Sequence, residues 1–312
     1  MRDIKKNTIY STTELDLIYD EPVLNELHDW PYSNHFFSYF KRESTKLVVM
    51  LQGGIDREKV PLPVFQRWSW SEEIKSSVLI LNDPTLFGNQ LSLGWWQGEE
   101  SSYALSSACD FISLIIGKLG YSIQDVLFYG SSAGGFSALM MAGHLRGGLA
   151  IVNNPQINLL ERHIEHPFQA VLETKFRGIS REEAFNEYPT RFSVSALFKE
   201  INYIPRILYY QNVKDHLHFE GQYLPFVKEL YGSGLDPNEF QSVLYMHHWG
   251  HFPLERIKTI SIINLSIAEL SGCNDRMKLK EIPGVFESVN VPITCQPKIE
   301  MSPTFQNRDV PL

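Results

Sequence analysis

The sequence predicts an α/β fold with a mostly parallel central sheet and helices on both of its faces. Three observations predict it. Short apolar runs of buried-strand type recur along the chain, helical periodicities separate them, and one run ends in a Gly-x-Ser-x-Gly turn that opens directly into a helix. Parallel neighbours need crossover connections, and those connections lay helices over both faces of the sheet. With 312 residues the chain is long enough for one large core. We read residues 1–272 as that domain and residues 273–312 as a C-terminal extension.

Up to about residue 45 the chain reads as an antiparallel lead-in. Glu14-Leu15-Asp16-Leu17-Ile18-Tyr19 mostly alternates polar and apolar residues, and His35-Phe36-Phe37-Ser38-Tyr39-Phe40 is aromatic and β-prone. Lys46-Leu47-Val48-Val49-Met50-Leu51 is a nearly continuous apolar strand stopped by Gln52-Gly53-Gly54. Ser77-Val78-Leu79-Ile80-Leu81 is another, ended by Asn82-Asp83-Pro84. Leu105, Ala108, Ile112, Ile115, Ile116 and Leu119 recur at helical spacing, and Gly120 closes that helix. Val126-Leu127-Phe128-Tyr129 leads into the serine turn, with a helix-like segment from Phe136. Gly148-Leu149-Ala150-Ile151-Val152 is the next strand, ending in Asn153-Asn154-Pro155-Gln156.

Residues 157–200 change character: they are charged, locally helical and interrupted by Pro167 and Pro189, as expected of a helical lid insertion. Alternation then resumes, with strands at 204–210 and 241–246 around a helix at 221–231. The last helix is expected at 253–270, with Pro253 in its first turn. Beyond Gly272 the prolines 283, 292, 297, 303 and 311 interrupt a stretch of little periodicity, which reads as loosely packed.

Composition narrows the function. The net charge is −8 and no lysine or arginine cluster stands out, which argues against a nucleic-acid partner. The polar start Met1-Arg2-Asp3-Ile4-Lys5-Lys6-Asn7 precedes no apolar segment of leader type, and no run approaches the roughly 20 residues of a membrane span. Cys109, Cys273 and Cys295 are few, odd in number and far apart, so neither a disulfide framework nor a zinc ribbon is implied. These features together predict a cytoplasmic protein. No His-Glu-x-x-His pattern or Walker-type loop is present, and no metal site is expected.

The chemistry is concentrated in Tyr129-Gly130-Ser131-Ser132-Ala133-Gly134-Gly135. A strand meeting a helix through so tight a turn needs small flanking residues, and it pushes Ser132 Oγ out at the top of the sheet. Ser131, in the x position, is the weaker nucleophile. The Ala133 N–H stands at the start of a helix, where an oxyanion would form. A serine hydroxyl also needs a base, and the base needs an acid to orient it. Both belong on loops at the carboxyl ends of the strands.

Asp215, a few residues past one strand, is the expected acid, with Glu220 in reserve. Past the next strand His247, His248 and His251 compete, and His216 and His218 lie near Asp215. His251 is favoured because Gly250 frees the loop to turn it back, and His248 is the alternative. Gly54 N–H is the expected second oxyanion donor. Trp95, Trp96 and Trp249, on loops bordering the site, are candidate substrate contacts or else core packing.

These residues make the chain resemble the α/β-hydrolase superfamily, in particular a branch from bacterial surface-polysaccharide loci that includes capsule O-acetyltransferases. The resemblance spans about residues 46–270. It rests on Leu51-Gln52-Gly53-Gly54, Asn82-Asp83-Pro84-Thr85-Leu86, Leu93-Gly94-Trp95-Trp96, the serine turn through Phe136, Asn154-Pro155-Gln156, Gln211-Asn212-Val213-Lys214-Asp215-His216 and Gly250-His251-Phe252. Gln52 departs from the histidine often found before the oxyanion glycine. The resemblance implies an α/β-hydrolase fold and a Ser132–Asp215–His251 triad. It also implies acetyl-CoA as the acetyl donor if the chain is a transferase; hydrolysis would require no cofactor.

The expected function is a serine-dependent acyl-ester enzyme that forms an acyl-Ser132 intermediate. It would act as an esterase or as an O-acetyltransferase on a carbohydrate, with a small molecule or a glycan as substrate. The competing expectation is a non-catalytic relative that binds a glycan or supports polysaccharide assembly. The acyl group, the acceptor and the oligomeric state stay open at this stage.

Overall fold

A computed structural model of the protein describes residues 5–19, 23–28, 35–236 and 240–271. The expected C-terminal extension, with Cys273 and Cys295, lies outside the described residues. Nine strands are described: β1 (Lys6–Ile9), β2 (Val23–Leu27), β3 (His35–Phe40), β4 (Leu47–Met50), β5 (Ser77–Leu81), β6 (Val126–Ser131), β7 (Leu149–Asn153), β8 (Arg206–Asn212) and β9 (Phe240–Tyr245). They form one sheet in the order β1-β2-β3-β5-β4-β6-β7-β8-β9. Among these strands only β3 runs against the rest, being antiparallel to both β2 and β5. The central strands are apolar on both faces because both faces are covered. Leu47, Val49, Val126 and Phe128 enter one core, while Val48, Met50, Leu127 and Tyr129 enter the other.

The helices are α1 (Ala104–Leu119), α2 (Ala133–His144), α3 (Glu165–Lys175), α4 (Arg181–Glu187), α5 (Pro189–Phe192), α6 (Val194–Glu200), α7 (His216–His218), α8 (Leu224–Gly232) and α9 (Arg256–Leu270). A π-turn over Phe219–Tyr223 joins α7 to α8. Helices α1 and α2 bury their apolar residues in the larger core. Residues 157–200 are largely helical, and Phe168, Leu172, Phe176, Phe192 and Phe198 among them join that same core. Each such side chain contributes about 1.5–3 kcal/mol by leaving water. Ile260, Ile263 and Ile267 of α9 fill the opposite face.

Three expectations are corrected. The segment 14–19 forms no strand: a 3₁₀ turn over Thr12–Glu14 leads into irregular chain. Its alternation is nonetheless real, because Leu15 and Leu17 are buried in the larger core. One-sided burial produces alternation without a ladder. The lead-in is also not wholly antiparallel, since β1 pairs parallel with β2. Pro253 is not in the first turn of the last helix, which begins at Arg256 with Glu255 as its N-cap. The Leu254 N–H donates instead to Asn153 Oδ1 at 2.6 Å. That bond ties residues 253–254 to the end of β7 and delays the helix.

Candidate active site

Strands β6, β7 and β8 end at Ser131, Asn153 and Asn212, so their carboxyl ends share one rim of the sheet. At that rim β6 passes into α2 through a single residue, Ser132, at φ 54° and ψ −124°. A non-glycine residue held there costs about 1–3 kcal/mol. The turn closes because Gly130 has no Cβ: one would overlap the Gly134 carbonyl. Ser132 is the N-cap of α2, yet its side chain accepts no capping hydrogen bond. Its Oγ lies 2.9 Å from His251 Nε2.

Asp215 follows β8 and caps α7, and its Oδ1 accepts the His218 N–H at 3.4 Å. Its Oδ2 lies 2.6 Å from His251 Nδ1, and its Oδ1 lies 3.1 Å from His218 Nδ1. An ionised carboxylate only accepts, so both Nδ1 atoms carry the proton. His251 Nε2 is then left as the acceptor for the Ser132 hydroxyl. Burial pushes the Asp215 carboxyl upward, but the hydrogen bonds from His218 and His251 outweigh it and hold the group well below the usual carboxylate range. Asp215 is 5% exposed and His251 41%, so the acid is sheltered and the base faces solvent.

Asp215, His218 and His251 are the one group among the described residues whose donor atoms, within 4.8 Å of one another, have the character of a metal site. The 2.6 Å separation of Oδ2 and Nδ1 is a hydrogen-bond distance. Two ligands at about 2.0–2.1 Å on a tetrahedral ion would sit wider apart.

Three buried asparagines hold the His251 loop. Asn212 Nδ2 donates to the His247 and Gly250 carbonyls at 2.7 Å each, and its Oδ1 accepts the His247 N–H at 2.9 Å. Asn154, at φ 43°, accepts the Asn212 N–H at 2.7 Å. Asn153 Nδ2 donates to Tyr245 Oη at 2.8 Å. Gly250 takes φ 60°, which turns the loop so that His251 faces Ser132.

The loop after β4 packs backbone to backbone on the start of α2, for a Cβ on Gly134 would sit 2.6 Å from the Leu51 carbonyl oxygen. Gln66 clamps this loop. Its Oε1 accepts the Gly53 N–H at 2.9 Å, and its Nε2 donates to the Gly54 carbonyl at 3.1 Å. The Gly53 N–H is thereby occupied. The Ala133 and Gly54 N–H groups make no hydrogen bond with other described residues.

The remaining candidates separate by position. Ser131 is buried, and its Oγ accepts from Arg67 Nη2 at 2.7 Å. His248 is exposed and stacks with His247, their ring centroids 4.6 Å apart. Glu220 is exposed beside His216 at 3.6 Å. Trp95 and Trp96 are each 1% exposed and pack in the larger core, the second of the two roles the sequence left open for them. Trp95 Nε1 donates to Gln156 Oε1 at 2.5 Å, and the Trp96 N–H to buried Asp83 Oδ2 at 2.8 Å. Trp249 is 55% exposed on the His251 loop.

Sequence reasoning passed over the roles of His218, Gln66 and the asparagines. The available signal was an asparagine at the carboxyl end of both β7 and β8.

No protein-family model and no curated protein matches the chain. Solved structures do. The capsule O-acetyltransferase of Neisseria meningitidis serogroup A superposes with a TM-score of 0.56 at 16% identity, over 75% of this chain and 91% of that one. The Glycosylation Associate Protein (Gap123) complex from Streptococcus agalactiae gives 0.54 at 13%, over 82% of this chain and 46% of that one. A lipase/esterase from Lactobacillus plantarum gives 0.50 at 12%, over 81% and 98%. At these identities the likeness is one of fold, and the fold is that of the α/β-hydrolases. No described helix is long and apolar enough to cross a membrane.

Proposed function

We propose that the protein is an acyl-ester enzyme with Ser132 as nucleophile, His251 as general base and Asp215 as the acid that orients it. One observation carries this reading: an unbroken line of hydrogen bonds from Asp215 Oδ2 through both nitrogens of His251 to Ser132 Oγ, at 2.6 and 2.9 Å. As Ser132 Oγ attacks an ester or thioester carbonyl, its proton passes to His251 Nε2. The imidazolium so formed faces an ionised Asp215. The negative oxygen of the tetrahedral intermediate is received by the Ala133 N–H, at the positive end of α2, and by the Gly54 N–H. His251 returns the proton to the leaving group, and an acyl-Ser132 ester remains. Water or a sugar hydroxyl then releases the acyl group by the same steps in reverse.

The similarity to a capsule O-acetyltransferase favours acetyl transfer to a carbohydrate. In that case the donor substrate would be a thioester such as acetyl-CoA; a structure of the similar acetyltransferase is described as a complex with CoA. The exposed Trp249 ring beside His251 is suited to stacking on a sugar face. The cytoplasm is the compartment that supplies such a donor. The helical segment 157–200, by this reading, caps the site.

A second reading, a glycan-binding protein that supports polysaccharide assembly, draws on the likeness to the Gap123 complex. An assay with p-nitrophenyl acetate, with and without carbohydrate acceptors, separates the two. Turnover that Ser132→Ala reduces by at least about ten-thousand-fold supports the enzyme. Acceptor-dependent acetylated product supports transfer, and wild-type protein inert toward esters and thioesters overturns the proposal.

A further inference from the structure

Asp215 is held by two imidazoles, although the proposed acid–base line uses one. His218 lies 6% exposed at its side chain, with Nδ1 3.1 Å from Asp215 Oδ1, while His251 Nδ1 takes Oδ2. The two rings also stack on each other, with centroids 3.8 Å apart and planes 16° apart. Behind His218 stands His163, edge-on, with centroids 4.5 Å apart. His218 Nε2 is buried and has no hydrogen-bond partner among the described residues. With Nδ1–H committed to the carboxylate, that nitrogen is a bare lone pair, and the ring is neutral. Burial holds its proton affinity below that of an ordinary histidine, the bond to Asp215 works against this, and His251 adds to it.

We propose that His218 is a positioning residue: its N–H fixes Asp215, and its ring is the wall that sets the plane of His251. The inference rests on the triad reading above and deepens it. The physical need is plain. His251 sits on an exposed loop that turns at Gly250, and a base on such a loop has rotational freedom to lose. A buried ring parallel to it at van der Waals distance removes that freedom on one face. The second N–H also shares the charge of Asp215, so the carboxylate neither rotates nor draws the His251 proton fully to itself. A neutral ring is essential here, because a charged one would repel the imidazolium formed during attack. The titratable groups around His218 are Asp215, His251 and His163, with Glu161 beyond His163 beside Gly221.

Two substitutions separate the ring from its proton. His218→Phe keeps a ring against His251 and removes the N–H, leaving no new buried polar group except Asp215 Oδ1, which retains the backbone N–H of residue 218. His218→Asn keeps a donor and removes the ring. With p-nitrophenyl acetate, His218→Phe is expected to lower kcat about 10- to 100-fold with KM nearly unchanged. The acid limb of kcat/KM should move to higher pH, since Asp215 then gives its whole charge to His251. His218→Asn is expected to lower kcat without moving that limb.

Proton NMR gives a readout free of turnover: two protected imidazole N–H resonances far downfield in the wild type, and one, shifted, in His218→Phe. Wild-type kcat and an unmoved pH profile in His218→Phe overturn the inference. So does a single downfield resonance in the wild type. If Ser132→Ala keeps full turnover, the triad reading itself has failed. If Ser132→Ala is inactive while both His218 variants are normal, only the role of His218 falls.

Discussion

Asn212 Nδ2 donates to the Gly250 carbonyl at 2.7 Å, so the strand that presents Asp215 and the loop that presents His251 are one hydrogen-bonded unit. The same amide also holds the His247 carbonyl and N–H. Replacing Asn212 by alanine leaves two carbonyls without their donor. Each such loss costs about 1–3 kcal/mol. Asn212→Ala is expected to lower the urea midpoint and to reduce ester turnover more than ten-fold, because the His251 loop loses its anchor. Equilibrium unfolding beside a p-nitrophenyl acetate assay checks both. Unchanged turnover in a destabilised variant would show that the loop holds its place without Asn212.

Asp215→Asn tests orientation apart from shape. Asparagine still caps a helix well, so α7 should persist. Its amide, however, offers either an acceptor or a donor toward His251 Nδ1, and it no longer fixes the proton there. The expected loss in kcat is about ten-thousand-fold with the fold retained by circular dichroism. A loss below ten-fold would mean that the acid lies elsewhere.

One buried and two half-buried histidines, His218, His163 and His144, set the acid side of stability. Burial lowers His163 to about 4, with His218 adding to the effect, and burial also lowers His218 and His144. In the unfolded chain these rings take up protons near the ordinary value of about 6.5. Below it the unfolded state binds protons that the folded state refuses, so their contribution is complete above about pH 6.5 and is lost as pH falls toward 4. Asp215 is lowered as well, but from a more acidic ordinary value, so its contribution is lost only as pH falls below the usual carboxylate range. Tm is therefore expected to fall between pH 6.5 and 4.5, and less steeply in His163→Gln. A flat Tm over that range would contradict the assignment of neutral, buried rings.

Two tryptophans of similar sequence promise should behave oppositely. Trp95 is a core residue, and Trp95→Ala is expected to cost about 3–5 kcal/mol of stability through the cavity it leaves. Trp249 is exposed, and Trp249→Ala should leave Tm within a few degrees while raising KM for a carbohydrate acceptor. Thermal denaturation and acceptor titration distinguish the two. A wild-type acceptor KM in Trp249→Ala would remove that ring from the binding surface.

Gly130 is a test of the turn itself. A Cβ at this position runs into the Gly134 carbonyl, which is backbone and has nowhere to go. Gly130→Ala is expected to yield insoluble or molten protein, whereas Ser132→Ala folds normally. Soluble, cooperative Gly130→Ala would mean that the turn relaxes more than its packing suggests.

Much of this was legible in the chain. The runs at 46–51, 77–81 and 126–129 read as buried strands because both faces of the central sheet are covered, and continuous apolarity survives there. The serine turn was legible because a strand-to-helix passage this tight tolerates few residues. Chain order and loop position brought Asp215 and His251 into consideration, and reach favoured His251 over His248. What misled was local pattern without context. The alternation at 14–19 meant one-sided burial and no ladder, and aromatic residues in loops were as fit for the core as for a ligand.

The amino-acid order by itself determined the elements and the types of group available, since periodicity and turn chemistry act over a few residues. Only the tertiary structure decided which groups meet. Ser132 and His251 are 119 positions apart and touch at 2.9 Å. The second imidazole on Asp215 and the asparagines that hold the loop are likewise invisible until the strand ends are brought side by side. Packing sets distances between remote side chains, and hydrogen bonds form or fail over a few tenths of an ångström.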